Sequence, residues 1–406
     1  MAIFRCTTIC HRSEKEEIMT LGSSRGMYRT MFRHLSHFIQ SRKRFMLPVL
    51  GIALLHTIIG LVVYYSLRSG MTLGGPFASN YSSKPPNWLQ LFSAWDSSYY
   101  LTIALNWYPP RLGPSWAFMP LYPATVRSLT YLGVNAELGA FMVASFCGLA
   151  SIVVFQKIAE QYMVKTQALV ATIMYFLFPP VFVFSVVSYP EALYLLLALL
   201  SWHFHQKHSD LKASGAAALC ALSRPEGFLL AIPFLYDYLT QKQFRKIGYV
   251  LVLLSGLGAW ELYGLAVTGV WLPSHAAGEF WNTAKAQAVK LAIQQLAGGD
   301  LSSVAVLFPY RGLILAIITI LVIVVFLGWR NWKIDKALSI YLLASTAILG
   351  ATLSVAYRSF PRILSFLFPV GLPLHTRNMK LLAILAGIFL VLDYIAWLAF
   401  LTDGFY

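Results

Sequence analysis

Acidic residues are scarce in this 406-residue chain, with 16 Asp and Glu against 31 Lys and Arg, and between Ile18 and Ala136 the only one is Asp96. Charged residues of both signs make up only 12% of the chain while 58% is hydrophobic. That balance excludes a water-soluble globule and leaves a polytopic, all-α membrane protein. Four cysteines are too few for a disulfide framework: Cys147 and Cys220 lie in apolar runs, Cys6 and Cys10 in the N-terminal tail. Cys6, Cys10 and His11 have no second ligand pair nearby, so no metal site is expected. No internal repeat and no low-complexity tract is present.

What the chain has in abundance is long apolar runs. The first, Phe45 to Leu67, at about 1.5 Å rise per residue exceeds the ~30 Å hydrocarbon core and is followed by no small-residue cleavage site, so it reads as an anchor helix. Spans are expected at 45–67, 138–157, 167–187, 190–206, 212–222, 226–238, 247–268, 311–328, 337–356, 362–376 and 379–401, about eleven crossings in a single domain over 45–406. The formal charge of +15 is informative through its distribution and gives no reason to expect nucleic acid. With residues 1–44 in the cytosol, the cytosolic segments hold 21 of the 31 Lys and Arg. Residues 117–134 are expected to be re-entrant or interfacial, because spanning there would invert everything downstream. The outer loops are then 68–137 and 269–310, the first carrying interfacial helices and an "NYS" sequon at 80–82. In the basic tail, Met27, Met31, Leu35 and Phe38 alternate at helical spacing with Arg25, Arg29 and Arg33, as in an amphipathic helix on anionic lipid.

This topology gathers the unusual polar residues on the non-cytosolic side: Asp96, Glu191, Arg224, Glu226, Arg358 and Arg362. Ionisable groups at membrane-helix ends are costly unless paired, hydrated or used, and the prolines beside these break helices where a protein cavity can be lined. Each residue also has a structural reading. Asp96 could cap the helix that begins in "WDSSYYLTIAL"; Glu191 could complement the dipole of a helix opened by Pro190; Arg224 could pair with Glu226. Arg358 and Arg362, four apart around Pro361, suit two guanidiniums converging on an anion. One outward carboxylate, several arginines and an aromatic rim of Trp88, Phe92, Trp95 and Tyr99 fit inverting glycosyl transfer from a lipid phosphate sugar. That reaction needs one general base for the acceptor hydroxyl and positive charge for the departing phosphate. The loop around Asp96 holds no Asp-x-Asp pair, which disfavours a nucleotide-sugar enzyme that chelates a divalent metal. The alternative is a transporter or flippase of lipid-linked sugars, which inverted repeats would favour.

Four blocks, "WDSSYYLTIALNWY", "AFMPLYPATVR", "LFPPVFVFSVVSYPEALYLLLALLSW" running on to "ALSRPEG", and "RSFPRILSFLFP", in this order resemble the PIG-V-like mannosyltransferases. These are polytopic GT-C glycosyltransferases that use dolichyl-phosphate mannose in building glycosylphosphatidylinositol anchors, with archaeal and bacterial relatives. The resemblance implies a GT-C-like fold, a polyprenyl- or dolichyl-phosphate sugar as donor, a lipid-linked or glycan acceptor, and no cofactor. It implies Asp96 as the base, with Trp95, Tyr99, Tyr122, Arg127, Glu191, Arg224, Glu226, Arg358 and Arg362 around the substrates. It also implies a multi-pass protein of a prokaryotic, archaeal plasma membrane, or of the endoplasmic reticulum in a eukaryote. Two positions depart from the family pattern: Trp107 stands where Gly is common, and Pro190 where Thr is. Neither the acceptor nor the need for a partner subunit is legible.

Overall fold

A computed structural model describes residues 45–66, 88–93, 95–281, 294–295, 298–299, 322, 324–351, 367–374 and 378–402. The chain divides into two units, 1–50 and 51–406; of the first, only 45–50, the opening of the first helix, are described. The basic tail 1–44, the sequon at 80–82, and Arg358 and Arg362 lie outside the described residues.

The described residues form helices and no strands, as the composition predicts. In chain order they are α1 (Phe45–Ser66), α2 (Ser97–Asn106), α3 (Leu121–Thr130), α4 (Ala136–Tyr162), α5 (Lys165–Phe176), α6 (Pro179–Phe184), α7 (Glu191–Gln206), α8 (Asp210–Ser223), α9 (Ala231–Thr240), α10 (Gly248–Thr268), α11 (Pro273–Gly278), α12 (Lys336–Ala351) and α13 (Met379–Thr402). Among the described residues four stretches are long and apolar enough to cross a membrane unaided: Phe45–Ser66, Ala136–Tyr162, Phe244–Thr268 and Lys380–Trp397. α3 has 10 residues, about 15 Å, and stops well short of a crossing, consistent with an interfacial element. The single span expected over 167–187 is instead two helices, α5 and α6, because Pro179 and Pro180 cannot continue the first and open the second. The expected spans 311–328 and 362–376 fall mostly outside the described residues.

α4 is the central helix: half of its most apolar window is buried, against 17% for that of α13, whose remaining surface is apolar and faces outward. Asn135 caps α4, its side-chain oxygen accepting from the Glu137 and Leu138 N–H groups. α7 packs between α4 and α8, and α8 against α10. These contacts are close because α8 presents Ala213, Ser214, Ala217, Cys220 and Ala221, all buried. The Ser201 hydroxyl donates across to the Ala213 carbonyl at 2.8 Å. Small residues and interhelical hydrogen bonds replace the hydrophobic drive that lipid cannot supply.

Candidate active site

The segment around Asp96 is a tight turn between a 3₁₀ turn at Leu89–Phe92 and α2. Trp95, just before Asp96, has φ of 54°, a left-handed conformation that costs a non-glycine residue about 1–2 kcal/mol. Such strain persists where surrounding contacts over-determine it, and here they are visible. The Asp96 N–H donates to Tyr189 Oη at 3.0 Å, the Ser188 N–H donates to the Phe92 carbonyl at 2.7 Å, and the Ser93 and Ser188 hydroxyls are 3.0 Å apart. Asp96 occupies the N-cap position of α2 with helical torsion angles, and its side chain makes no capping hydrogen bond. Capping therefore does not account for a carboxylate at this position.

An aromatic wall stands behind the turn. Tyr99 stacks on Phe118 at 4.9 Å between ring centroids, and Tyr100 meets Phe118, Tyr122 and Tyr189 at 5.0, 5.4 and 6.1 Å. Tyr122 is fully buried and donates to the Ala140 carbonyl of α4 at 3.0 Å, which pins α3 to the first turns of the long helix. Arg127 sits at the other end of α2. Its Nη1 donates to the Ala104 and Leu105 carbonyls at 3.2 Å each, and its Nε to Tyr131 Oη at 2.7 Å. A cation on the last carbonyls of a helix complements the dipole and satisfies groups the helix leaves open, so Arg127 fixes the helix that carries Asp96 in place.

The turn after α6 leads directly from Ser188 and Tyr189 to Pro190 and Glu191, and there the ionisable residues meet. Glu191 is 1% exposed and forms an ion pair with Arg224 Nη1. Arg224 also grips Glu226 with a two-pronged contact, Nη2 to Oε1 at 2.9 Å and Nε to Oε2 at 3.2 Å. Both structural expectations for Arg224 and Glu191 are thus realised together, with Glu191 in the first turn of α7 as well. The Ser223 hydroxyl donates to the Pro190 carbonyl at 3.3 Å, closing the link between the two turns. Gly227 makes the "SRPEG" turn feasible: a Cβ there would lie 2.3 Å from the Ala221 nitrogen. Trp95, Asp96, Glu191, Arg224 and Glu226 are therefore joined by a continuous set of contacts through Tyr189 and Pro190, whereas Tyr122 and Arg127 brace it from behind. Tyr189 is the residue that the sequence reading passed over; its only signal was its place two residues before Glu191, in the same block. Among the described residues no group of three or more His, Cys, Asp and Glu is arranged to hold a metal ion.

Residues 61–246 match the family model for mannosyltransferases of the PIG-V type. The match covers just under half of the chain. The matched stretch contains the Asp96 turn, the aromatic wall and the Glu191–Arg224–Glu226 cluster. Among solved structures, the crystal structure of the Archaeoglobus fulgidus oligosaccharyltransferase complex with zinc and sulfate is similar at 14% identity with a TM-score of 0.44, over 87% of this chain. This chain spans about half the length of that one, 52%. No curated protein matches it.

Proposed function

We propose that this protein is a membrane glycosyltransferase that moves a hexose, mannose in keeping with the family match, from a polyprenyl- or dolichyl-phosphate sugar to a lipid-linked or glycan acceptor on the non-cytosolic face, with inversion at the anomeric carbon. The observation that carries the reading is the Asp96 turn itself. A carboxylate that caps nothing sits after a strained tryptophan, is held by Tyr189, and falls inside the stretch that matches mannosyltransferases. In the proposed step the acceptor oxygen attacks the anomeric carbon, its proton passes to the Asp96 carboxylate, and the bond from that carbon to the phosphate oxygen breaks. The electron pair leaves with the lipid phosphate. Arg358 and Arg362 are the proposed partners of that phosphate, since Arg224 is already engaged by two carboxylates. The step uses no metal and no cofactor.

The test is transfer by the purified full chain from radiolabelled dolichyl-phosphate mannose to a panel of lipid and glycan acceptors. Asp96→Asn keeps the shape of the side chain and cannot take the proton. It is expected to lower the rate by ~10²–10⁴-fold, the usual contribution of general base catalysis, with the same elution profile and thermal unfolding as the parent. Near-parental turnover in that variant refutes the assignment.

A further inference from the structure

At the other end of α4 the chain holds a second polar site that the transfer reaction does not use. A cavity of about 290 Å³ is lined by Tyr162, His205, Gln206, Asp210, Asp237 and Asp335, among others. Tyr162 is the last residue of α4, whose 27 residues extend about 40 Å. The Asp96 segment touches the first turns of the same helix, Phe92 lying 4.7 Å from Phe141 between ring centroids. α4 is long and apolar enough to cross a membrane, and a crossing by it puts the cavity and the Asp96 turn on opposite faces.

The interior of this cavity is rich in hydrogen-bond acceptors. Asp335 accepts from Tyr162 Oη at 2.7 Å and from the Leu338 N–H at 2.9 Å, Asp237 from His205 Nε2 at 2.9 Å, and Asp210 from Tyr238 Oη at 3.0 Å and Lys246 Nζ at 2.9 Å. Three carboxylates thus share the lining with one lysine and two histidines, His205 and His208. Two further buried acceptors find no hydrogen-bond partner among the described residues. One is Gln206 Oε1, whose amide nitrogen is already spent on Tyr162; the other is His205 Nδ1, which is the acceptor when Nε2 donates to Asp237. Buried acceptors left without donors cost about 1–3 kcal/mol each, so the cavity is built for a ligand that brings N–H or O–H groups, and its excess of carboxylates favours a cationic one.

The rim has the opposite charge. Lys207, Lys242 and Arg245, each next in sequence to a lining residue, are exposed, as are Lys212, Arg330 and Lys333 on the same segments. Phe244 and Trp329, each 62% exposed, and Leu239, 51% exposed, stand among them. Aromatic and apolar side chains interleaved with basic ones mark the headgroup level of a bilayer. An acceptor-rich, acidic interior behind a basic rim at that depth is complementary to a headgroup whose phosphate stays outside and whose ammonium enters.

We propose that this cavity binds the phosphoethanolamine headgroup of a phospholipid in the leaflet opposite the Asp96 site, the three N–H groups of its primary ammonium shared among Asp237, Asp335 and the two unpartnered acceptors. The discriminating probe is choline, which carries the same charge on a trimethylated nitrogen and has no N–H to donate. Delipidated full chain in detergent micelles is exposed to equimolar phosphatidylethanolamine, phosphatidylcholine and phosphatidylglycerol, and retained lipid is read by native mass spectrometry. Phosphatidylethanolamine is expected to be retained about tenfold over phosphatidylcholine, equivalent to about 1.4 kcal/mol, and Asp335→Asn with Asp237→Asn should abolish that preference. Equal retention of the two, or a preference that survives the double variant, overturns the proposal; preferential retention of phosphatidylglycerol would do so in favour of a polyhydroxyl ligand. Free phosphoethanolamine serves as competitor: displacement by millimolar amounts would assign the cavity to a soluble ligand of the same chemistry and overturn the lipid assignment.

Discussion

Arg224 is the position where the energetics can be worked most directly, because it alone separates two carboxylates. Glu191 is 1% exposed at its side chain, Arg224 11% and Glu226 15%, so solvent screens little of the cluster. The guanidinium donates to Glu191 and, with two prongs, to Glu226. At about 1.5–3 kcal/mol for each bond to a charged group, their removal has an upper bound several kcal/mol above what can be realised, since Glu226 can turn toward water. Glu191 cannot, and a buried ion stripped of its partner costs about 3–5 kcal/mol. We predict that Arg224→Met destabilises the protein by about that amount. Glu226→Gln should cost about 0.5–1.5 kcal/mol, because a neutral amide retains an acceptor and Arg224 keeps Glu191. Glu191→Gln should fall between them.

The fold supplies its own reporter for this series. Cys147 and Cys220 are free and buried, and the Cys220 carbonyl accepts the Arg224 N–H at 3.0 Å. In a Cys6→Ser, Cys10→Ser background, reaction with a thiol-specific fluorophore during heating therefore reads the opening of the site itself. The expected order of unfolding temperature is parent, Glu226→Gln, Glu191→Gln, Arg224→Met. An Arg224→Met protein as stable as Glu226→Gln would show that Glu191 reaches water or another cation, and would refute the buried-triad argument.

Three further outcomes follow from the same residues. If Arg358 and Arg362 clasp the donor phosphate bidentately, Arg362→Lys should weaken use of the lipid phosphate sugar by about 1–3 kcal/mol, read from the dependence of transfer on donor concentration; unchanged dependence would leave these arginines a structural role. Burial works to raise Asp210, but the hydrogen bonds from Lys246 and Tyr238 outweigh it and hold this carboxyl below its usual range. A group depressed in the folded state contributes stability above its ordinary pKa of about 3.9 and loses it as pH falls toward the folded value; the acid limb of the melting profile should flatten in Asp210→Asn, and an unaltered limb would show that the ion pair adds nothing. Finally, a Ser83→Cys variant should label only from the non-cytosolic side, as the count of basic residues requires, and labelling from the cytosol alone would overturn the proposed placement of the Asp96 site.

The fold class was legible because hydropathy and charge distribution are summed over many residues, and no single substitution disturbs them. Helix breaks were less so: "FPPVFVF" reads as part of one apolar run over 167–187, although Pro179 and Pro180 divide it into α5 and α6. The site was legible as a set of residue types, since ionisable side chains near membrane ends stand out against an apolar background. Their division of labour was not, because it depends on contacts between segments far apart in the chain. Arg127 could as well have faced a phosphate; it is the position of the α2 carbonyls that gives it a positioning task. Tyr189 carries no charge and sits in an apolar block, so only its nearness to Glu191 marked it until its hydroxyl was seen to accept the Asp96 N–H.

Trp107 shows how a departure from a sequence pattern becomes intelligible once its backbone is known. It ends α2 with φ of 65° and ψ of −168°, a region that glycine enters freely and a bulky residue enters only under constraint. Gly, the residue the resemblance leads one to expect here, would adopt this turn without strain. In this chain the indole supplies the constraint: its Nε1 donates to Tyr263 Oη at 3.1 Å, its ring meets Tyr108 at 5.2 Å, and Arg127 lies 5.8 Å over its face. These contacts tie the end of α2 to α10 and to the guanidinium that also holds the α2 carbonyls. The same helix is thus clamped at both ends, by Trp107 and Arg127 at one and by Tyr189 on the Asp96 backbone at the other. A helix ten residues long is too short to be stable alone in water, and holding a single carboxylate beside it to the precision that the proposed proton transfer needs calls on both clamps.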